Sequence, residues 1–465
     1  MRRFLAGTLL CVLVVGLSRA QDEAETSKKR KEAIEKGVAW LKKGQGADWS
    51  WDYANGPFNI GVHMKQGTTA FCALALLKSG VAPDDPAVNK AFDFIHGCNL
   101  EHIYSAATVL LALEARYNWE PPREDESVEE EKTAEKKGGP KKLKPSGRDI
   151  DLAKRCVEFL VGNQAEDGTW SYPKPLDEAK TDVSNTQYAL LGFDAAERLG
   201  ISVPKGVYER VLEFFLVNQE KDGPEVAAFP VPGADMSYKE LKKVEKDMRD
   251  KLKGAKGADE RRAIEEDAAR KILGTTEKKG AMKARAWAYS YPFTREGTGE
   301  QKGGRGAARA AWMTRVTGAM TTAGLASLFI CKAHLDGTKT LDKAKPRVDA
   351  ALRDGAAWMA KNFSVTTNPG PSGERSMHVL YYLYGLERAG VLLLAPKFGE
   401  HDWFEEGTAY LLKKQASDGS WDAGNEGTVG PVCDTCFALL FLSRGTTPMV
   451  RIPTRTATGP GGAKK

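Results

Sequence analysis

The sequence predicts an all-α fold, an (α/α)6 toroid of six helical hairpins, and three observations carry that prediction. First, a Q-x-x-D-G-x-W pattern recurs. It reads Gln415, Asp418, Gly419 and Trp421 in one place and Gln164, Asp167, Gly168 and Trp170 in another; Gln219, Asp222 and Gly223 repeat its first half, and residues 45–51 are a worn copy. Repeats of this kind define the structural unit before any single helix does. Second, each copy follows an amphipathic stretch and precedes a helix that is apolar nearly all round, such as residues 70–77. A helix without a polar face has to be covered on every side, so the apolar helices belong inside and the amphipathic ones outside. Third, no alternating apolar–polar run is long enough to argue for a sheet.

Taken in order, the hairpins pair residues 29–44 with 67–79, 86–96 with 103–116, 150–163 with 184–199, 205–218 with 318–333, 346–361 with 376–389, and 403–414 with 431–443. In the second, Ile103, Ala106, Ala107, Leu110, Leu111 and Leu113 recur at helical spacing. In the third, Lys154, Arg155 and Glu158 oppose Ile150, Leu152, Val157 and Leu160, which is an outer-helix pattern. Gly80, Gly200, Gly390 and Gly445 close inner helices, where the chain needs the left-handed position that glycine tolerates.

The chain has 465 residues, and residues 1–20 have the parts of a secretory signal: Arg2 and Arg3, an apolar run from Phe4 to Leu17, then Ser18, Arg19 and Ala20. The expectation is an exported protein, periplasmic or extracellular, whose toroid domain spans 21–445. Arg2, Arg3 and Arg19 leave with the leader, so the formal charge of +6 falls to about +3, too small a bias to argue for nucleic acid. No later stretch reaches the roughly 18 consecutive apolar residues of a membrane span. Six cysteines remain after the leader; an exported chain permits disulfides, but most of these thiols sit in apolar helical patterns, where cysteine packs as a small hydrophobe.

Three segments depart from the repeat. Residues 121–147 are charged and poor in large apolar residues, the composition of a disordered linker. Residues 220–315 form an insertion inside the fourth hairpin. Its middle, 237–273, reads as two charged helices with Leu241, Val244, Met248 and Leu252 on a narrow face: a solvated excursion, or a lid over the toroid's mouth or a dock for a protein partner. Residues 446–465 lack apolar periodicity and read as a disordered tail.

The turns themselves read as structural: Gly for backbone freedom, Asp to cap neighbouring amides, Trp to fill the gap between outer helices, Gln to bond free helix-end amides. On these turns and the helices around them, over roughly 29–120, 149–220 and 286–445, the chain resembles the repeats of squalene/oxidosqualene cyclases and protein prenyltransferase β-subunits. The resemblance implies an α/α toroid with an active cavity where the inner helices begin. It does not bring the family's chemistry with it. The D-x-D-D acid motif of squalene-hopene cyclases is missing, and Asp149-Ile150-Asp151 matches it only in part. Asp434-Thr435-Cys436 spells the prenyltransferase zinc pair D-x-C, but on the last inner helix, where the family has its histidine. Gly97-Cys98-Asn99 does not match the G-C-G-E-Q of thioester proteins. No cofactor is expected. Cys433 and Cys436, one turn apart without a second ligand pair, read as buried thiols or a local disulfide rather than a zinc site.

The remaining chemistry gathers at the inner-helix openings. Thr69, Asn185, Thr322, Thr435 and Asp434 lie there, where free N–H groups favour polar or anionic ligands. Trp287, Tyr289 and Tyr291 precede an opening and offer either stacking faces or packing under the turns. His378 with Tyr381 and Tyr382 makes an acid/base candidate. Three functions follow as expectations: a binding or scaffolding toroid for an apolar small molecule or a polymer; a terpenoid-type isomerase or lyase with Asp434 as proton donor; and a polysaccharide lyase or hydrolase using His378 and a tyrosine.

Overall fold

The computed structural model describes residues 2–52, 64–120, 143–172, 181–274, 280–290, 314–370, 378–424 and 430–453, with side chains from residue 22 onward. Its described residues are mostly helical, with fifteen helices and one two-stranded ribbon. Helix α1 (Arg2–Lys43) is followed by α2 (Lys65–Lys78), α3 (Pro86–His96) by α4 (Ile103–Tyr117), and α5 (Gly147–Gly162) by α6 (Val183–Arg198). Then come α7 (Lys205–Val217), strand β1 (Glu225–Val226), α8 (Pro232–Asp235), α9 (Tyr238–Gly254), α10 (Ala258–Leu273), strand β2 (Met282–Lys283) and α11 (Gly318–His334). Helices α12 (Lys339–Lys361) and α13 (Val379–Leu392), then α14 (Trp403–Lys414) and α15 (Gly430–Leu442), complete the order. The expected leader at 1–20 falls on residues whose side chains are not described. None of the described helices is long and apolar enough to cross a membrane.

The even partition into covered and covering helices follows the sequence pattern. Helices α2, α4, α6, α11, α13 and α15 are buried over most of their length. They pack in succession, α2 on α4, α4 on α6, α6 on α11, α11 on α13 and α13 on α15, and α15 packs back on α2. Close backbone approach makes this succession tight: a Cβ on Gly192 of α6 would stand 2.9 Å from the Ala107 Cα of α4. The fifth outer helix, expected from 346, starts at Lys339, because the Thr338 hydroxyl accepts from the Leu341 amide and caps it there.

The repeated turn keeps its tryptophan and glutamine bonds in four places. Its tryptophan donates Nε1–H to the carbonyl four residues before the glutamine: Trp51 to Leu41, Trp170 to Leu160, Trp287 to Phe215 and Trp421 to Leu411, at 2.7–2.9 Å. The glutamine Nε2 donates to a carbonyl of the next outer helix: Gln45 to Ala87, Gln164 to Val207, Gln219 to Ala351 and Gln415 to Ala33. The aspartate closes the turn on itself, Asp418 Oδ1 accepting from the Ser420 amide and hydroxyl, as Asp167 does from Thr169. Gly419 (φ 95°) lies so close to the neighbouring helix that a Cβ would meet the Lys36 carbonyl oxygen at 2.6 Å. In the worn copy the same left-handed position is held by Trp49, at φ 71°.

The half-copy at 219–223 is therefore a whole copy that has been split. Its tryptophan is Trp287, expected either to offer a stacking face at the mouth or to pack under a turn; it does the second, fully buried as the turn's own indole. The chain leaves after Gly223 and returns through a β1–β2 antiparallel ribbon, with Lys283 pairing Asp222 and Arg285 pairing Asp354 of α12. Between them, α8 packs on α12, and Lys332 of α11, 1% exposed, donates to the Gly233 and Met236 carbonyls and pairs with Asp349. Helices α9 and α10 pack on each other, the first held by a Ser237–Glu240 capping box. Tyr238, at the start of this charged pair, sits by the carboxyl-terminal ends of α6 and α11, beside Arg198 and His334. That is the end of the inner helices opposite their openings, so the anchored start of the pair lies away from the mouth over which a lid was expected.

Residues 446–453, expected within a disordered tail, cross the same carboxyl-terminal ends. Thr446 donates its amide and hydroxyl to Glu387, Thr447 accepts from Lys78 and Arg198, and Val450 and Ile452 are buried. The missing periodicity was real, but an extended segment held by side chains from several helices needs none. Residues 454–465, and 121–142 of the expected linker, lie outside the described residues; Ser146, near that linker's end, caps α5 through the Asp149 amide.

Two outcomes follow. Gly419→Ala is expected to lower stability by about 2 kcal/mol or more, because it strains a left-handed residue against a backbone. Trp49→Gly, at the equivalent site and 43% exposed, is expected to stay within about 1 kcal/mol of the parent or rise above it, since relief of strain offsets the lost contacts; denaturant midpoints check both. Burial pushes the fully covered Glu387 carboxyl up to about 7. Its folded pKa lies above the ordinary glutamate value, so its contribution to stability is present below about pH 4.5 and lost as pH rises through about 7. Glu387→Gln is expected to flatten this fall between pH 5 and 8 by on the order of 3 kcal/mol relative to the parent, read in paired denaturation curves.

Candidate functional site

On α13, Tyr381, Tyr384 and Arg388 are spaced so that one helical face carries all three toward the interior. Tyr104 of α4, Tyr188 of α6, Phe71 of α2 and Phe437 of α15 meet them there. Ring centroids lie 4.5 Å apart for Tyr104–Tyr188, 6.4 Å for Tyr188–Tyr381, 5.6 Å for Tyr381–Phe437 and 5.0 Å for Phe71–Phe437. Tyr172 stacks on Tyr104 from the turn side. Phe71, Tyr188, Tyr384 and Phe437 are buried, while Tyr104, Tyr172, Tyr381 and His378 keep part of their surface accessible. The result is an aromatic cluster near the inner-helix openings, part of whose edge reaches the surface.

A charge is buried beneath it. Arg388 is 1% exposed and lies over the Tyr384 ring at 4.2 Å and the Tyr188 ring at 5.1 Å. It donates to Gln187 Oε1 at 3.2 Å, and Gln187 Nε2 bonds the Tyr381 hydroxyl. Its chain neighbour Glu387 is engaged by Thr446 instead, so the guanidinium is held by ring faces and one amide rather than by that carboxylate. Its Nε and Nη1 have no hydrogen-bond partner among the described residues, nor do Gln66 Oε1, Ser105 Oγ and Asn185 Nδ2 in the first turns of α2, α4 and α6.

The expected site residues divide sharply. Tyr381 lies in the cluster, and His378, with its ring 6.4 Å from that of Tyr381, lies beside it. Thr69 and Thr435 do not face it: their hydroxyls accept from the Trp51 and Trp421 amides and serve the turns. Thr186 does the same for Trp170. Thr322 donates to Ala319 and packs against Gly385. Tyr289 bonds the buried Asp182, which caps α6 at the Asn185 amide. Tyr291 lies outside the described residues. Tyr382, expected to join His378, turns its hydroxyl to the Ser364 carbonyl, so the histidine cluster reduces to His378 and Tyr381. Asp434 accepts from the Ala423 amide, and burial pushes its carboxyl up to about 7. No group of three metal-ligating side chains forms among the described residues. Asp149 of the partial acid motif is engaged by His96, Tyr117 and Ser146, away from the cluster.

Sequence reading missed Arg388, Tyr188 and Gln187. Helical spacing from Tyr381 reaches Arg388, but nothing in the sequence says which face of an all-round apolar helix turns inward. A cleft of about 250 Å³ lies at the opposite end between Asp194, Glu197, Arg198, Tyr238, His334, Pro448 and Met449. His334 Nε2 meets Asp194 there at 3.0 Å. Compared with known proteins, the chain matches no family model and no curated protein.

Burial pushes the His378 imidazole down to about 4. Its folded pKa lies below the ordinary value, so it is neutral from pH 8 down to about 5, and the folded state weakens as acid charges it. In proton NMR its ring resonances are expected to hold steady across pH 6–8 and to move near pH 4, and a midpoint near 6.5 would contradict the desolvation of the ring.

Proposed function

We propose that the six hairpins form a closed α/α toroid of the type seen in squalene cyclases and prenyltransferase β-subunits, and that the protein is an exported binding toroid without cyclase chemistry. The succession of inner-helix contacts, with α15 returning to α2, supports the closure. The turn's glutamine bond, repeated four times between neighbouring outer helices, supports it independently. The ligand is an apolar or planar molecule taken up by the aromatic cluster.

The observation that carries this reading is the continuous run of aromatic contacts from Tyr104 through Tyr188 and Tyr381 to Phe437, with Tyr104 and Tyr381 partly accessible. Ring faces reward apolar and flat ligands. A second reading, an isomerase or lyase on the same ligand, is favoured by one observation: Asp434, with its carboxyl up to about 7, keeps a proton at near-neutral pH, as a general acid must.

Native mass spectrometry of the protein from its own cells tests the binding reading, with a polycyclic fluorescent probe as the titration. The expected result is a retained apolar mass, or saturable one-to-one probe binding, that weakens about tenfold in Tyr381→Ala. Unsaturable probe binding that Tyr381→Ala leaves unchanged would remove the cluster as the site. Asp434→Asn separates the two readings: binding survives it in both, and turnover of the bound molecule is lost only if the acid acts.

A further inference from the structure

The first and last inner helices meet at a seam, and two thiols face each other across it. Cys72 Sγ of α2 and Cys436 Sγ of α15 are 3.6 Å apart, both fully buried, and separated by 364 positions in the chain. We propose that Cys72 and Cys436 form a disulfide that joins the two ends of the succession of hairpins when the protein folds in an oxidising compartment. Closing the gap to the roughly 2.05 Å of an S–S bond asks each sulfur to move by less than about 1 Å, within reach of side-chain rotation.

The local alternative is weaker. Cys433 and Cys436 lie three residues apart on one helix, where Cβ atoms stand about 5–6 Å apart, beyond the 3.5–4.5 Å range that a disulfide accepts. The seam also has the most to gain. Beyond the apolar packing of α15 on α2, its side-chain hydrogen bonds include Ser79 to Ser443, Lys78 to Thr447, Trp40 to Asp418 and Gln415 to Ala33. A crosslink between such distant residues removes a large share of the open chain's freedom.

The chemistry is thiol–disulfide exchange with a protein or small-molecule disulfide as oxidant. One cysteine thiolate attacks the donor disulfide and expels a donor thiolate, leaving a mixed disulfide. The second cysteine's thiolate attacks its own partner's sulfur and releases the other donor thiolate. The two cysteines lose two electrons and two protons, and the donor ends as two thiols. Burial pushes both thiols up, so few thiolates exist once α15 has docked; the exchange belongs to folding, before the seam closes. Afterwards the same burial shields the bond from reductants.

The test is to unfold and reduce the full chain, refold it in a glutathione redox mixture, alkylate it, and map the peptides without reduction. The expected result is a Cys72 peptide joined to a Cys436 peptide, with a thermal midpoint higher by on the order of 5 °C than in the reduced form. Cys433→Ala is expected to keep the crosslink and Cys72→Ala to abolish it; should Cys72→Ala fail to fold, the Cys433→Ala map still decides. Singly alkylated Cys72 and Cys436, or Cys433 joined to either, would overturn the proposal. None of these outcomes depends on whether the aromatic cluster binds a ligand.

Discussion

The side-chain amide of one glutamine per turn is the interaction on which the architecture rests. Outer helices have no reason of their own to stand at a fixed spacing, since each buries its apolar face on an inner helix and turns the other to water. The glutamine supplies that spacing. Gln415 Nε2 holds both the Gly419 carbonyl of its own turn and the Ala33 carbonyl of the next outer helix, at 2.9 and 2.8 Å. A carbonyl inside a helix is already bonded along its own axis, yet keeps a second lone pair that a side-chain donor can use. The link therefore costs the neighbouring helix nothing, and the turn, the indole and the next helix become one rigid unit.

That rigidity explains how the third turn survives being cut open. Roughly sixty residues intervene between Gly223 and Trp287, yet the indole still donates to Phe215 and still packs against Gly355 of α12. The ribbon brings the two cut ends back to the right separation, and Arg285 with Asp354 fixes the return. The insertion then spends its own contacts elsewhere, on α12, on buried Lys332 and on the carboxyl-terminal side. The insertion's anchored start therefore lies away from the openings, and the two ends of the inner helices have different chemistry. The opening side is aromatic with a few unpartnered amides and hydroxyls; the carboxyl-terminal side is an ion-pair network of Glu114, Asp194, Arg198 and Lys78, spanned by residues 446–453.

Most of the helical order was legible because two periodicities and one punctuation mark repeat: the all-round apolar inner helix, the striped outer helix, and the Q-x-x-D-G-x-W turn. The misreadings share a cause. Thr69 and Thr435 looked like ligand contacts because they open inner helices, but a hydroxyl at an opening can equally satisfy the amide of a neighbouring turn, and here it does. Trp287 stays open between the mouth and a turn in the sequence because no turn stands beside it; its partner glutamine is far upstream. Arg388 was passed over because one arginine in an apolar helix has no pattern to belong to, whereas its meaning lies in which rings surround it. Segments without periodicity, such as 446–453, draw their order from side chains that sequence distance hides.

The buried guanidinium sets a constraint on whatever the cluster does. Taking a full positive charge out of water costs several kcal/mol unless it is compensated, and Glu387, the nearest acid in the chain, is turned away to Thr446. The compensation comes from the negative faces of Tyr188 and Tyr384 and from Gln187, which is itself tied to Tyr381. The orientation of Tyr188 and Tyr384 and the position of Tyr381 are therefore coupled through one cation. A ligand that moves Tyr381 disturbs Gln187 and through it Arg388, so the cluster responds as a unit rather than as separate side chains. The rings, the amide and the cation thus hold one another in a single arrangement.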